Sequence, residues 1–133
     1  MAKENAGTAG LDGRYHTLPG DAFEVEFGSG YDAVLLTNFL HHFDVPTCEN
    51  LLRKVAGALK PGGRVATLEF VLNEDRISPP GAAGFPLIML AGTPRGDAYT
   101  FSQYESMFAN AGFKRCELHD LSPSFQRLVI SYK

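Results

Sequence analysis

The run Tyr31 to Asn38 (YDAVLLTN), in which Ala33, Val34, Leu35 and Leu36 follow one another without a polar residue, constrains this chain more than any other feature. A continuous apolar run of that length is what a strand buried on both faces requires, and such strands belong to parallel sheets covered by helices. Behind it, Cys48, Leu51, Leu52, Val55 and Leu59 recur at i, i+3, i+4, i+7 and i+11, with Glu49, Asn50, Arg53 and Lys54 between them. That period predicts a helix with one buried and one wet face. Asp44 is placed to cap it, Pro46 suits its first turn and Pro61-Gly62-Gly63 stops it, giving limits near 46 to 60. Arg64 to Val71 (RVATLEFV) returns to strand composition. Strand, helix, strand over 31 to 71 predicts a right-handed βαβ unit.

Downstream, Phe101 to Ala111 predicts a second helix. Thr100 with Gln103 forms a capping-box pattern, Tyr99 and Tyr104 are spaced as a staple, and Gly112 stands at the C′ position. Its buried face would carry Tyr104, Met107, Phe108 and Ala111. Lys114 to Leu121 and Gln126 to Tyr132, separated by Ser122-Pro123-Ser124, predict an antiparallel hairpin that gives the sheet a mixed edge. Tyr15 to Leu18 is a further short strand candidate, and Asn73 to Asp97, richer in Gly and Pro, reads as an insertion between core elements. The whole is one α/β domain.

Composition narrows the partners. A formal charge of -3 is spread over 133 residues with no block of Lys or Arg, so a nucleic-acid footprint is not expected. Cys48 and Cys116 stand far apart with no CxxC or Cys/His spacing, which predicts neither a disulfide framework nor a metal site and suits the cytoplasm. Met1 to Gly10 lacks the apolar centre of a signal peptide, and the longest apolar stretch, around Phe85 to Ala91, falls short of the ~20 residues a membrane span needs. Neither export nor a membrane partner is expected.

Four features could carry chemistry. His41 and His42 follow the first central strand, and Glu69 lies near the end of the next. Ligands of open α/β sheets collect beyond the carboxyl ends of strands, and neighbouring strands run ~4.8 Å apart. An imidazole titrating near pH 6.5 with a carboxylate at its far nitrogen is equipped as a general base; the plainer account is a histidine that caps the next helix or packs in a loop. Gly20-Asp21-Ala22-Phe23 offers an acceptor beside an aromatic surface, able to hold an adenine; the plainer account is an ordinary Gly-Asp turn with a core phenylalanine. Gly28-Ser29-Gly30 precedes a strand instead of joining a strand to a helix and is read as a turn. Phe85 to Leu90 (FPLIML) could wall an apolar substrate pocket or form a short helix filling the core.

In this order YDAVLLTNFLHHF, LLRKVAGALKPGGRVATLEFV and YTFSQYESMFANAGF resemble S-adenosylmethionine-dependent small-molecule O-methyltransferases of the class I fold, along nearly the whole chain. The resemblance implies the carboxyl-terminal part of a Rossmann-like catalytic domain, its sheet mainly parallel with an antiparallel C-terminal strand and its first two strands missing. It implies that His41 is the base that deprotonates the acceptor hydroxyl and that Glu69 orients it. Asp21, Ala22 and Phe23 would surround the adenine of S-adenosylmethionine, with Thr37 and Asn38 also near the cofactor; the acceptor would be a small hydroxylated molecule.

Several positions depart from the family pattern. Ala22 replaces a larger apolar residue, Thr37 stands where plant members often carry lysine, and Ala98 stands where they carry a second orienting glutamate. The glycine-rich cofactor loop and the acidic ribose-binding residue are not found, so little cofactor affinity is expected of this chain by itself. A sheet without its first strands would leave an open apolar edge, which predicts homo-oligomerisation. The competing reading is a non-catalytic truncated or oligomerisation domain, and within enzymes a C- or N-methyltransferase.

Overall fold

The computed structural model describes residues 1–11 and 13–133. Helix α1 (Ala2–Thr8) leads through an irregular segment to strand β1 (Tyr31–Thr37). A single 3-10 turn, Leu40–His42, joins β1 to α2 (Val45–Ala58), which feeds β2 (Leu59–Glu69). Helices α3 (Pro80–Ala83) and α4 (Phe85–Gly92) fill the insertion, and α5 (Phe101–Asn110), β3 (Arg115–Asp120) and β4 (Arg127–Tyr132) complete the order.

The four strands form one sheet in the order β1-β2-β4-β3. β1 and β2 pair in parallel from Ala33↔Arg64 to Thr37↔Leu68, with a register shift before Ala33, so the βαβ unit expected over 31 to 71 is present. β4 runs antiparallel to both β2 and β3. Three strands therefore share one direction and only the last opposes them, as anticipated. β4 inserts between β2 and β3, however, so two of the three pairings are antiparallel.

Local signals explain the helices. The Asp44 side chain accepts from the Thr47 amide at 3.1 Å and Pro46 lies in the first turn of α2. All five apolar stripe positions, Cys48 to Leu59, are buried. The helix ends at Ala58, not at Pro61-Gly62-Gly63 as expected, because Leu59 turns extended and pairs beside Tyr31, which puts the Pro-Gly-Gly segment inside β2. The Thr100/Gln103 capping box closes in both directions, Tyr99 and Tyr104 pack edge to face at 5.8 Å, and the predicted face of α5 is buried. Both α2 and α5 cover the sheet face that carries Val65, Thr67 and Val129, and the core lies between those layers.

Two expectations are corrected. β1 is not buried on both faces: Val34 and Leu36 turn to the core, whereas Ala33 is exposed and Leu35 is 74% exposed. Among the described residues no element covers the second face, and β1 has a neighbour on one edge only. Tyr15 to Leu18 forms no strand, since strand composition without a partner to pair with gives no ladder. It instead edges an apolar cleft of about 490 Å³ beside β1, which Leu18, Ala22, Phe27, Leu35 and Val55 help to line.

Candidate active site

Period-two alternation along β2 puts Val65, Thr67 and Glu69 on the helix-covered face. The last of this row is a carboxylate with no exposed surface. Burying such a charge costs several kcal/mol unless its lone pairs are filled. They are filled from the neighbouring strand end: Glu69 Oε1 accepts from the Phe39 and Leu40 amides, each at 2.9 Å, and Oε2 meets His41 Nδ1 at 2.5 Å. Glu69 thus closes the 3-10 turn and receives the imidazole that the turn carries.

The turn follows from Asn38, whose positive φ of 53° bends the chain out of β1. From the opposite side, the Asp97 amide donates to the His41 carbonyl at 3.0 Å. Gly96 lies so close that a Cβ there would overlap the same oxygen. The Tyr99 hydroxyl donates to the Phe43 carbonyl at 2.5 Å. The His41 ring packs edge-on to Phe85 at 4.8 Å and near His42 at 4.3 Å, and Phe85 stacks on Phe70 at 4.0 Å. His41 is 5% exposed, whereas His42 faces solvent.

A carboxylate at Nδ1 favours the tautomer that carries its proton there, which turns the lone pair of Nε2 toward a reacting group. Beneath the pair the surroundings are apolar. Burial, reinforced by the Glu69 charge, pushes the Cys48 thiol up to about 12, and burial first of all raises the Tyr99 and Tyr104 hydroxyls above the usual phenol range.

The second cluster is the turn at Asp21. Asp21 Oδ1 accepts from the Phe23 amide at 2.8 Å, and its carbonyl accepts from Glu24 and Val25. Gly20 is required here because a Cβ would run into the Val25 side chain. Phe23 reaches Phe39 at 6.4 Å and Phe43 at 5.0 Å, so an aromatic row connects this turn to the histidine loop. Ala22 and Thr37 border the same apolar cleft. Asn38 is exposed and accepts a short hydrogen bond from Gln126, the residue just before β4.

The contributions of Gly96, Asp97, Tyr99 and Gln126 were not visible in the chain's periodicity, since each meets a partner far away in the chain, 56 residues for Tyr99 and 88 for Gln126. Lys54, assigned to the wet face of α2, instead donates to three carbonyls of the Asp21 turn. The insertion differs too: Met89 is buried, but Leu87, Ile88 and Leu90 are 69%, 60% and 77% exposed, so α4 does not fill the core.

The family model described as "O-methyltransferase domain" matches residues 1–114. The chain belongs to this O-methyltransferase domain family. It is 36% identical over 112 residues to the 3-hydroxy-5-methyl-1-naphthoate 3-O-methyltransferase of Streptomyces sahachiroi, a match covering 84% of this chain and 32% of that protein. An O-methyltransferase-family structure from Nostoc punctiforme superposes with a TM-score of 0.95 at 58% identity, over 99% of this chain and 41% of the other. Human N-acetylserotonin methyltransferase, solved in complex with S-adenosylmethionine, superposes with a TM-score of 0.80 at 27% identity, over 87% of this chain and 33% of that one. The chain thus spans about a third of the length of these curated relatives. No helix among the described residues is long and apolar enough to cross a membrane.

Proposed function

We propose that this chain is the carboxyl-terminal part of an S-adenosylmethionine-dependent O-methyltransferase, in which His41 removes the proton of a small-molecule hydroxyl and Glu69 holds His41 ready. The supporting observation is the buried pair, His41 Nδ1 and Glu69 Oε2 at 2.5 Å, at the carboxyl ends of adjoining parallel strands. A phenol with a pKa near 10 yields little oxyanion at neutral pH. Nε2 takes that proton and Glu69 stabilises the resulting imidazolium. Ala98, buried nearby, offers no second carboxylate, so Glu69 alone carries the orienting role. The exposed apolar side chains of α4, with Phe85 against the His41 ring, suit a flat organic acceptor.

The residues present fit the adenine end of the cofactor. Asp21 is exposed with Oδ1 engaged by the Phe23 amide, leaving Oδ2 to accept from an exocyclic amine, and the half-buried Phe23 supplies an aromatic face. Thr37, the last residue of β1, borders the same cleft as Ala22, and Asn38 follows it. S-adenosylmethionine supplies an electrophilic methyl group on sulfur, and the protein's part is alignment of the acceptor oxygen and removal of its proton. We further propose that the first two strands and the glycine-rich loop of the domain lie outside this chain. By itself the chain then holds cofactor weakly and self-associates through the open edge of β1.

The decisive experiment joins the chain to the strands and glycine-rich loop proposed to lie outside it and supplies methyl-labelled S-adenosylmethionine and a panel of phenols, hydroxyindoles and polyketide-type hydroxyls, with calorimetric titration of S-adenosylhomocysteine alongside. Transfer to oxygen that His41→Ala abolishes supports the reading. Transfer that survives His41→Ala rejects the base and favours a carbon or nitrogen acceptor. Absence of both transfer and binding favours a non-catalytic domain with the methyltransferase fold.

A further inference from the structure

Lys54 sits half-buried on α2, and its ammonium donates to the carbonyls of Ala22 at 3.0 Å, Phe23 at 2.7 Å and Val25 at 3.1 Å. An ammonium has three N–H donors and no acceptor, so one side chain here uses its whole capacity on three carbonyls of a single turn. The Phe27 ring lies 4.8 Å beneath the charge, within cation-π range. A lysine on an amphipathic helix ordinarily extends into water with large rotamer freedom. This one is immobilised across 29 to 32 residues of sequence.

The same turn has its amides occupied from within, with Phe23 donating to Asp21 Oδ1 and Glu24 and Val25 donating to the Asp21 carbonyl. Its carbonyls therefore point together toward α2, where their dipoles repel one another until a cation gathers them. With Lys54 in place, the Asp21 carboxylate and the Phe23 ring are presented on a turn tied to the rigid helix. Without it the turn keeps only its local hydrogen bonds.

We infer that Lys54 is a positioning residue for the cofactor end of the site: by drawing the carbonyls of Ala22, Phe23 and Val25 onto α2 it sets the Asp21–Phe23 surface for the adenine. The inference rests on the methyltransferase reading above, and its test separates the two.

In Lys54→Met, which keeps the stem and removes the charge, amide hydrogen exchange at Phe23, Glu24 and Val25 is expected to quicken by about tenfold or more, while Val65 and Val129 in the central sheet keep their protection. In parallel, S-adenosylhomocysteine titrated to millimolar concentration should shift the Asp21 to Val25 amide resonances of the wild type, and its affinity should fall about tenfold in Lys54→Met. Lys54→Arg, which retains a cation with several donors, should recover part of both effects; Lys54→Gln serves in place of Lys54→Met if the latter does not fold. Unchanged exchange at the turn overturns the inference. So does a loosened turn that binds S-adenosylhomocysteine as well as before. A wild-type turn that ignores S-adenosylhomocysteine, yet loosens in Lys54→Met, overturns the reading of the turn as a cofactor surface while leaving the lysine clamp as a structural brace only.

Discussion

His41 Nδ1 and Glu69 Oε2 face each other across 2.5 Å, and the other oxygen of the same carboxylate receives the two backbone amides that begin the histidine's own turn. One side chain therefore sets both the position and the tautomer of the imidazole. The pair is coupled to the fold through the backbone as well as the ring, which makes its perturbation readable without any substrate.

Glu69→Gln keeps an oxygen for the Phe39 and Leu40 amides but turns an amide donor toward Nδ1. The imidazole must then carry its proton on Nε2, the nitrogen proposed as the base. Stability should fall by about 1 to 3 kcal/mol as a charge-assisted bond is lost, and turnover in the proposed methyltransferase by about a hundredfold or more. The far-downfield Nδ1 proton signal expected of the wild type should vanish. Retention of that signal in Glu69→Gln would refute the assigned contact.

Gly96→Ala would place a Cβ onto the His41 carbonyl oxygen and the Thr93 hydroxyl. Relief requires moving either the 93–97 loop, with loss of the 3.0 Å bond from Asp97 to His41, or the histidine turn itself. The expected cost is about 1 to 3 kcal/mol, with a displaced His41 Nδ1 proton resonance. Wild-type stability with an unmoved resonance would show that this approach does not position the histidine.

The exposed Leu35 and the unpaired edge of β1 form the surface through which self-association is proposed. Light scattering should report a species larger than a monomer whose population grows with concentration. Leu35→Lys, a charge of the kind that blunts natural sheet edges, should shift it to monomer. A wild-type monomer at every concentration rejects this surface as an interface.

Cys48 is buried, with its thiol pushed up to about 12, against about 8.5 in an unfolded chain. The folded state thus holds the proton more tightly. Its contribution is complete below about pH 8.5 and declines as pH rises toward the folded value, at up to ~1.4 kcal/mol per pH unit. Urea midpoints measured from pH 8 to pH 10 should fall more steeply for wild type than for Cys48→Ala. Iodoacetamide should reach Cys48 only after unfolding, and rapid native labelling there would contradict the burial.

Much of the architecture was legible because its causes are local. The α2 stripe, the Asp44 cap, the Thr100/Gln103 box and the hairpin around Pro123 each depend on residues a few positions apart, and each occurs where the spacing places it. The approach of His41 to Glu69 was legible for a topological reason, since a parallel βαβ unit brings the carboxyl ends of its strands side by side. Tyr15 to Leu18 and the outer face of β1 were misread because pairing and coverage depend on neighbours. Apolar composition reports a capacity for burial, and Leu35 has that capacity without a cover.

By itself, the order of residues determined α2, α5 and the C-terminal hairpin, the βαβ core, and which residues stand as candidate base and carboxylate, since periodicity, capping and strand direction are properties of the chain. Only the tertiary structure decided that β4 enters between β2 and β3, that Gly96 and Asp97 brace the His41 backbone, and that Lys54 leaves solvent for three carbonyls. Those contacts join segments far apart in the chain, and no local pattern records which distant backbone groups will be left wanting a partner once the helices have packed.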